Sequence, residues 1–173
     1  MGQGVERRPQ ASSERRVVLR FCLAFAAFTV TVFIALYGAQ DTIIVGLNRH
    51  VAWLAGAILS ALGAPVASRG PVVTMGNFAV EIKNNCNAIY EAGLFAAAVW
   101  AYPAPVRAKA VGTLIGVSLL YLVNLVRVLS LLAIGVLARG WFDVAHLYVW
   151  QALFFAVVAG CWFGWILRLP SKT

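Results

Sequence analysis

With 62% hydrophobic residues, 12% charged residues and a mean hydropathy of +0.84, this 173-residue chain is too apolar for an ordinary soluble domain. Soluble chains average roughly 25% charged residues. The net charge of +8 does not indicate nucleic-acid binding, because the basic residues flank apolar runs instead of forming a stripe. We therefore expect an all-α polytopic membrane protein with one membrane-embedded domain, residues 17–168, between cytoplasmic tails at 1–16 and 169–173.

The three cysteines exclude the commonest metal and dithiol patterns. Cys22, Cys86 and Cys161 lie far apart and include no CxxC pair. Cys22 and Cys161 lie within apolar runs, where a cysteine is usually a small hydrophobic residue. No metal and no cofactor is expected.

The N-terminal tail, residues 1–16, is polar and basic and is expected to be disordered. The apolar run after it, about 17–39, is longer than the hydrophobic region of a signal peptide, which predicts an uncleaved first span.

The second apolar run, 51–67, is short for a span and is broken by Gly63-Ala64-Pro65. If it crossed the membrane fully, the later basic clusters would fall on the outer side. The positive-inside rule therefore predicts an interfacial or re-entrant helix, and the alternative of a full crossing stays open.

From Gly70 to Lys83 the apolar pattern gives way to a mixed polar and apolar one. The segments 71–74 and 78–82 flank Met75-Gly76-Asn77, which predicts a small β-hairpin. Because unpaired strand edges are not tolerated in lipid, this hairpin should lie outside the membrane, on the extracytoplasmic side.

Three further spans follow. A helix capped by Asn84 or Asn85 should begin at residue 86 or 87 and run to about 102. Two more should cover about 110–138 and 145–167. This gives about four transmembrane helices with both termini inside.

In this topology three reactive side chains reach the same depth. Cys86 and His146 each open a span at the outer face. Arg127 lies about 18 residues beyond Lys109, which is roughly 27 Å at 1.5 Å per residue and near the far edge of a ~30 Å core. A thiol, a guanidinium and an imidazole at one depth indicate acyl-transfer chemistry.

Each of the three has a predicted role. Cys86 at a helix N-terminus should be favoured as a thiolate and act as nucleophile. His146 should transfer protons, and Arg127 should stabilise an oxyanion or bind a substrate carboxylate. A charge inside a span is costly by roughly 2.5 kcal/mol or more, so Arg127 is a functional candidate by default.

Supporting polar residues surround these three. The amides of Asn85, Asn87 and Asn124 are candidate hydrogen-bond donors or orienting groups. Glu91 is a candidate counter-ion of Arg127, so a purely structural ion pair is an alternative explanation of both charges.

The chain resembles the exosortase/archaeosortase family, and its short length suggests a short form. The resemblance rests on Cys86-Asn87-Ala88-Ile89-Tyr90-Glu91, on Asn124-Leu125-Val126-Arg127 and on His146. Many members have Cys-Ser-Gly where this chain has Cys-Asn-Ala. The Cys-Asn-Ala form resembles the subgroup named exosortase H, whose sorting signal contains a Trp-Gly element.

The resemblance implies a membrane cysteine transpeptidase or protease of the bacterial cytoplasmic (inner) membrane, with Cys86, Arg127 and His146 as its catalytic residues. Its expected partners are exported proteins that end in a short motif, a transmembrane helix and a basic tail, together with the lipid bilayer. The acceptor nucleophile stays unassigned.

Two other classes of function fit the same residues. In a small transporter or channel subunit, Arg127 and His146 would line an ion path and Cys86 would be dispensable. In a non-catalytic subunit of an export or polysaccharide assembly complex, all three would be dispensable.

Overall fold

The computed structural model describes residues 8–84 and 86–169. In the described part of the chain, four helical segments are long and apolar enough to cross a membrane: Glu14–Gly38, Gln40–Ala61, Val106–Leu137 and Arg139–Leu167. The fold is thus a multi-pass helical membrane protein with a small antiparallel sheet, as the sequence predicts.

The elements follow in a simple order. Helix α1 is Arg8–Gly38, and a π-helical turn, Gln40–Ile44, leads into α2, Val45–Ala61. Helix α3 is Ile89–Ala101 and α4 is Val106–Leu137. After α4 come a 3-10 turn, Arg139–Trp141, a short helical turn α5, Phe142–Val144, a π-helical turn, Ala145–Val149, and α6, Trp150–Leu167.

The sheet has three described strands in the order β1-β2-β3. They are β1, Val66–Arg69, β2, Val72–Met75, and β3, Phe78–Glu81. β2 and β3 form the predicted hairpin, in which Met75 pairs with Phe78 across a two-residue turn. Gly76 in that turn has a φ of 58°, a conformation that a side chain would disfavour.

The structure differs from the prediction at the start of α1, at the end of α2 and at β1. α1 begins at Arg8 and so includes half of the predicted disordered tail. The second apolar run, 51–67, is helical only up to the break at Gly63-Ala64-Pro65. The helix ends at Ala61, Gly63 turns the chain with a φ of 82°, and Val66 begins β1. The residues after the Gly63-Ala64-Pro65 break thus pair with β2 as a strand, although they continue the apolar run.

The set of candidate spans also differs from the prediction. α2 with its π-helical turn is long enough to cross, whereas α3 has 13 residues, about 20 Å of helix. α2 packs on β1, β2 and α4, so it lies beside the sheet. That α2 does not cross the membrane fully stays a prediction.

α4 connects two hydrophobic cores. Its first half packs with α3 and α6 around Phe95, Leu120 and Phe154. Its second half packs with α2 and the sheet around Val51, Ile82 and Leu132. Cys86 belongs to the second core and Ala88 to the first, so the segment between β3 and α3 lies where the two cores meet.

The sheet is held against α4 by one close approach. A Cβ at Gly135 of α4 would overlap the ring of Phe78 at the start of β3. Phe78 also contacts the ring of Phe142, with 5.0 Å between centroids, and lies 5.5 Å from the guanidinium carbon of Arg139. Glycine at position 135 thus sets the distance between β3 and α4.

Replacing Gly135 with alanine should destabilise the protein by about 1–3 kcal/mol, because the added methyl group displaces the buried Phe78 ring. Gly160→Ala is the matched control, since a Cβ at that position would meet no described atom within 4 Å beyond its chain neighbours and the nearby backbone of its own helix. The midpoints of thermal unfolding in detergent micelles measure both effects. Equal midpoints for the two variants would contradict this description of the α4–β3 contact.

Candidate active site

Cys86 lies in a bend between β3 and α3. Its backbone N–H donates to the Lys83 carbonyl at 2.8 Å. Ala88 adopts the left-handed conformation with a φ of 60°, and Asn87 Oδ1 accepts the N–H of Ile89 at 2.9 Å. The prediction that α3 begins at Cys86 or Asn87 is therefore wrong: the helix begins at Ile89, and Asn87 satisfies its first N–H.

A chain of hydrogen bonds between side-chain amides holds this bend. Asn48 of α2 donates from Nδ2 to Asn84 Oδ1 at 2.9 Å, and its Oδ1 accepts Asn87 Nδ2 at 2.6 Å. From the other side, the fully buried Asn124 of α4 donates to the Cys86 carbonyl at 3.0 Å. The backbone at Cys86 is thus fixed from two helices. Of the predicted supporting residues, Asn85 lies outside the described residues.

The thiol of Cys86 reaches the imidazole of His146. The distance from Sγ to Nε2 is 3.4 Å, across 60 positions of the chain. His146 lies on the π-helical turn before α6, where its ring lies 5.6 Å, centroid to centroid, from that of Phe142. A sulfur–nitrogen contact of this length permits direct proton transfer between the two groups.

Arg127 is buried beside this pair with unused hydrogen-bond donors. The residue is 2% exposed, and its Nε and Nη1 have no hydrogen-bond partner among the described residues. Its guanidinium carbon lies 5.9 Å from the centroid of the Phe154 ring. Burying a cation with unpaired donors costs free energy of folding. Such an arrangement is typical of a side chain that binds a ligand.

Cys86, Arg127 and His146 line one cleft of about 310 Å³. The rest of its lining comes from β3 and the two residues after it, from α4 and from α5: Ala79, Val80, Glu81, Ile82, Lys83, Val128, Leu131 and Phe142. The structure therefore brings together the three reactive side chains that the sequence placed at one depth.

Glu91 does not pair with Arg127, so the structural ion pair considered from the sequence is not formed. The ion pair found in the described residues joins Lys83 and Glu81, at 3.6 Å. Glu91 Oε2 is buried without a hydrogen-bond partner in the described part of the chain.

The thiol is not prepared as a thiolate in the way its predicted helix position suggested. Burial raises the pKa of Cys86 above its ordinary value, and the positive charge of Arg127 offsets part of that rise. The helix N-terminus is too far along the chain to act as predicted, because Cys86 precedes the first residue of α3 by three positions. At neutral pH the group is therefore mainly a thiol.

Three parts of the site were missed from the sequence: Asn48, which holds the bend, and Phe142 and the outer edge of β3, which line the cleft. Asn48 carries a weak signal, since it is a polar residue at the edge of an apolar run. Nothing local marks the other two, because their positions depend on how the sheet and α5 pack against α4.

Fold and cleft together define a multi-pass membrane protein with a thiol–imidazole pair and a buried guanidinium at the junction of its two cores. Residues 13–166 match the family model described as transmembrane exosortase. Because that match covers most of the 173 residues, the chain belongs to the exosortase family. No curated protein and no solved structure matches the chain.

Replacing Asn124 with leucine should lower the free energy of unfolding by about 1–3 kcal/mol, because the Cys86 carbonyl loses its buried donor. Leu122→Ala on the same helix is the control, since Leu122 is 57% exposed. Thermal unfolding in micelles measures the difference. A midpoint for the Asn124 variant equal to that of the control would show that this hydrogen bond does not hold the bend.

Replacing Arg127 with methionine should slow alkylation of Cys86 by iodoacetamide severalfold at pH 8. Removing the positive charge raises the pKa of the thiol further, so less thiolate is present at that pH. Arg127→Lys should restore most of the rate. The measurement uses a chain in which Cys22 and Cys161 are replaced by alanine. Faster alkylation in the methionine variant would show that the charge of Arg127 does not lower the pKa of the thiol.

Proposed function

We propose that this protein is a cysteine transpeptidase or protease that removes C-terminal sorting signals from exported proteins. The observation that supports this best is the 3.4 Å contact between Cys86 Sγ and His146 Nε2 in a cleft that also contains the unpaired donors of Arg127. Membership of the exosortase family supports the same reaction class.

The reaction begins with the thiol rather than with a preformed thiolate. As Cys86 Sγ attacks the scissile carbonyl carbon, the thiol proton passes to His146 Nε2. A raised thiol pKa fits this order, because the imidazole then removes the proton during attack. The carbonyl oxygen becomes an oxyanion, which Arg127 stabilises with its unused donors.

Collapse of the tetrahedral intermediate completes the first half. The C–N bond breaks, His146 donates its proton to the leaving amine, and the N-terminal part of the substrate stays on Cys86 as a thioester. In the second half an acceptor amine attacks the thioester carbonyl and loses a proton to His146. The C–S bond then breaks and the thiol is re-formed. Water in place of the amine gives hydrolysis.

The supporting residues act by positioning. Asn124 holds the Cys86 carbonyl, while Asn48 and Asn87 hold the bend from the side of α2. Small displacements of a reacting group are costly in rate, so fixing Sγ relative to His146 is itself a contribution to catalysis.

The substrate's own transmembrane helix and basic tail would place its scissile bond at the level of the cleft. In this proposal the enzyme lies in the bacterial cytoplasmic membrane with its cleft on the extracytoplasmic side. The partners are exported proteins with that three-part C-terminus.

Replacing Cys86 with alanine should abolish removal of the C-terminal tail, because no thioester can form. The measurement is the mobility shift of an epitope-tagged protein from the same genome that ends in a short motif, one apolar helix and a basic tail. Cys161→Ala is the control, since Cys161 packs in the other core, away from the cleft. It should process the tagged protein normally.

Two outcomes would overturn the proposal. Tail removal that persists in the Cys86 variant would exclude cysteine catalysis. A phenotype that requires Arg127 and His146 but not Cys86, and that follows the membrane potential, would favour the transporter alternative.

A further inference from the structure

The outer edge of β3 carries backbone groups that face away from the sheet. Antiparallel pairing alternates, so every second residue of an edge strand points its N–H and C=O outward. The Ile82 N–H donates to the Pro71 carbonyl at 2.8 Å, on the side of β2. By alternation Phe78 and Val80 also face β2, whereas Ala79 and Glu81 face outward.

This edge is also a wall of the cleft. Ala79 to Glu81 of β3 and the next two residues, Ile82 and Lys83, line it without interruption, over about 13 Å at 3.3 Å per residue. Within the described chain, no hydrogen bond joins the backbone of Ala79 or Glu81 to another element outside the sheet. Unpaired edges of this kind are normally covered or blocked, because they pair readily with another extended chain.

An independent feature of the cleft points to the same kind of ligand. Arg127 is 2% exposed, lines the cleft and keeps Nε and Nη1 without hydrogen-bond partners among the described residues. Donors held in this way fit a carbonyl oxygen or the oxyanion formed from it. The edge ends near Cys86, so one extended peptide could contact both.

We propose that β3 binds the substrate polypeptide as an added strand, so that the residues before the scissile bond pair with its outer edge and lead to Cys86. This inference rests on the proposed function for the identity of the peptide. Main-chain pairing would supply affinity, and the cleft walls formed by Leu131 and Phe142 would select side chains.

The direction of the added strand follows from where the substrate must go. Its helix begins after the scissile bond and continues into the membrane from the level of Cys86. The residues before the bond therefore extend from Cys86 back along β3 towards Ala79. This direction makes the added strand parallel to β3, with alternate amides of the peptide engaged.

The test uses a peptide reagent whose backbone, not its sequence, is recognised. Acetyl-tetraalanyl chloromethyl ketone alkylates Cys86 in a chain with Cys22 and Cys161 replaced by alanine, and iodoacetamide serves as a reference for thiol reactivity. We compare the rate of alkylation by the peptide reagent with the rate of alkylation by iodoacetamide. N-methylation at alternate amides of the peptide should lower the ratio of these two rates about fivefold, because each such change removes one backbone hydrogen bond. N-methylation at the amides between them should change the ratio less than about twofold.

The enzyme offers a matching pair of variants. Ala79→Pro removes an outward N–H without removing a hydrogen bond to β2, which an edge strand tolerates. It should lower the rate ratio about fivefold. Val66→Pro on β1 is the control, because the Val66 N–H faces outward on the opposite edge of the sheet. This orientation follows from the β1–β2 register and from the bond between Gly76 N–H and the Pro65 carbonyl.

Equal effects of N-methylation at every position, or no effect at any, would overturn the proposal even if Ala79→Pro failed to fold. A cross-linked dimer that Ala79→Pro abolishes would assign the edge to a second copy of this chain and would also overturn it. The result is independent of the proposed function, because alkylation of Cys86 is measured whether or not Cys86→Ala blocks tail removal.

Discussion

The site depends on α4 being part of both hydrophobic cores. Its first half packs against Phe95 and Phe154, and its second half packs against the sheet. Asn124 and Arg127 lie on the second half, about one helical turn apart; Asn124 bonds the Cys86 carbonyl, and Arg127 lines the cleft. Any shift of α4 would move Asn124 and Arg127 together. The position of Arg127 relative to the Cys86 backbone therefore stays constant.

The polar groups at the junction of the cores fall into two kinds. Asn48 bonds both Asn84 and Asn87, and Asn124 bonds the Cys86 carbonyl, so the cost of removing these amides from water is largely offset. Arg127 is the opposite case, with a charge buried and two of its donors unpaired in the described part of the molecule. The asparagine amides stabilise the bend, whereas the unpaired donors of Arg127 can form hydrogen bonds with a bound ligand.

Burial of the thiol has a chemical consequence that differs from the usual picture of an activated cysteine. The apolar surroundings favour the neutral thiol, and Arg127 opposes them only in part. The imidazole within reach of the sulfur then matters more, since it has to accept the proton as the bond forms. Such a thiol resists oxidation and stray alkylation better than a stable thiolate does, because thiolate is the reactive form.

Much of this could be predicted from the sequence, because lipid imposes strong constraints on it. Apolar runs and basic flanks identified the membrane class and three of the spans, and a turn sequence identified the β2–β3 hairpin. Cys86, Arg127 and His146 could be picked out from the sequence because polar side chains are rare in so apolar a chain.

Other features could not be predicted. The start of α3, strand β1, the contribution of Asn48 and the unpaired edge of β3 all depend on contacts between distant segments. The sequence by itself therefore determined which residues are polar within apolar surroundings, and it predicted a common depth for three of them. Only the tertiary structure decided which of them are paired, because pairing depends on α2, the sheet and α4 packing at one junction.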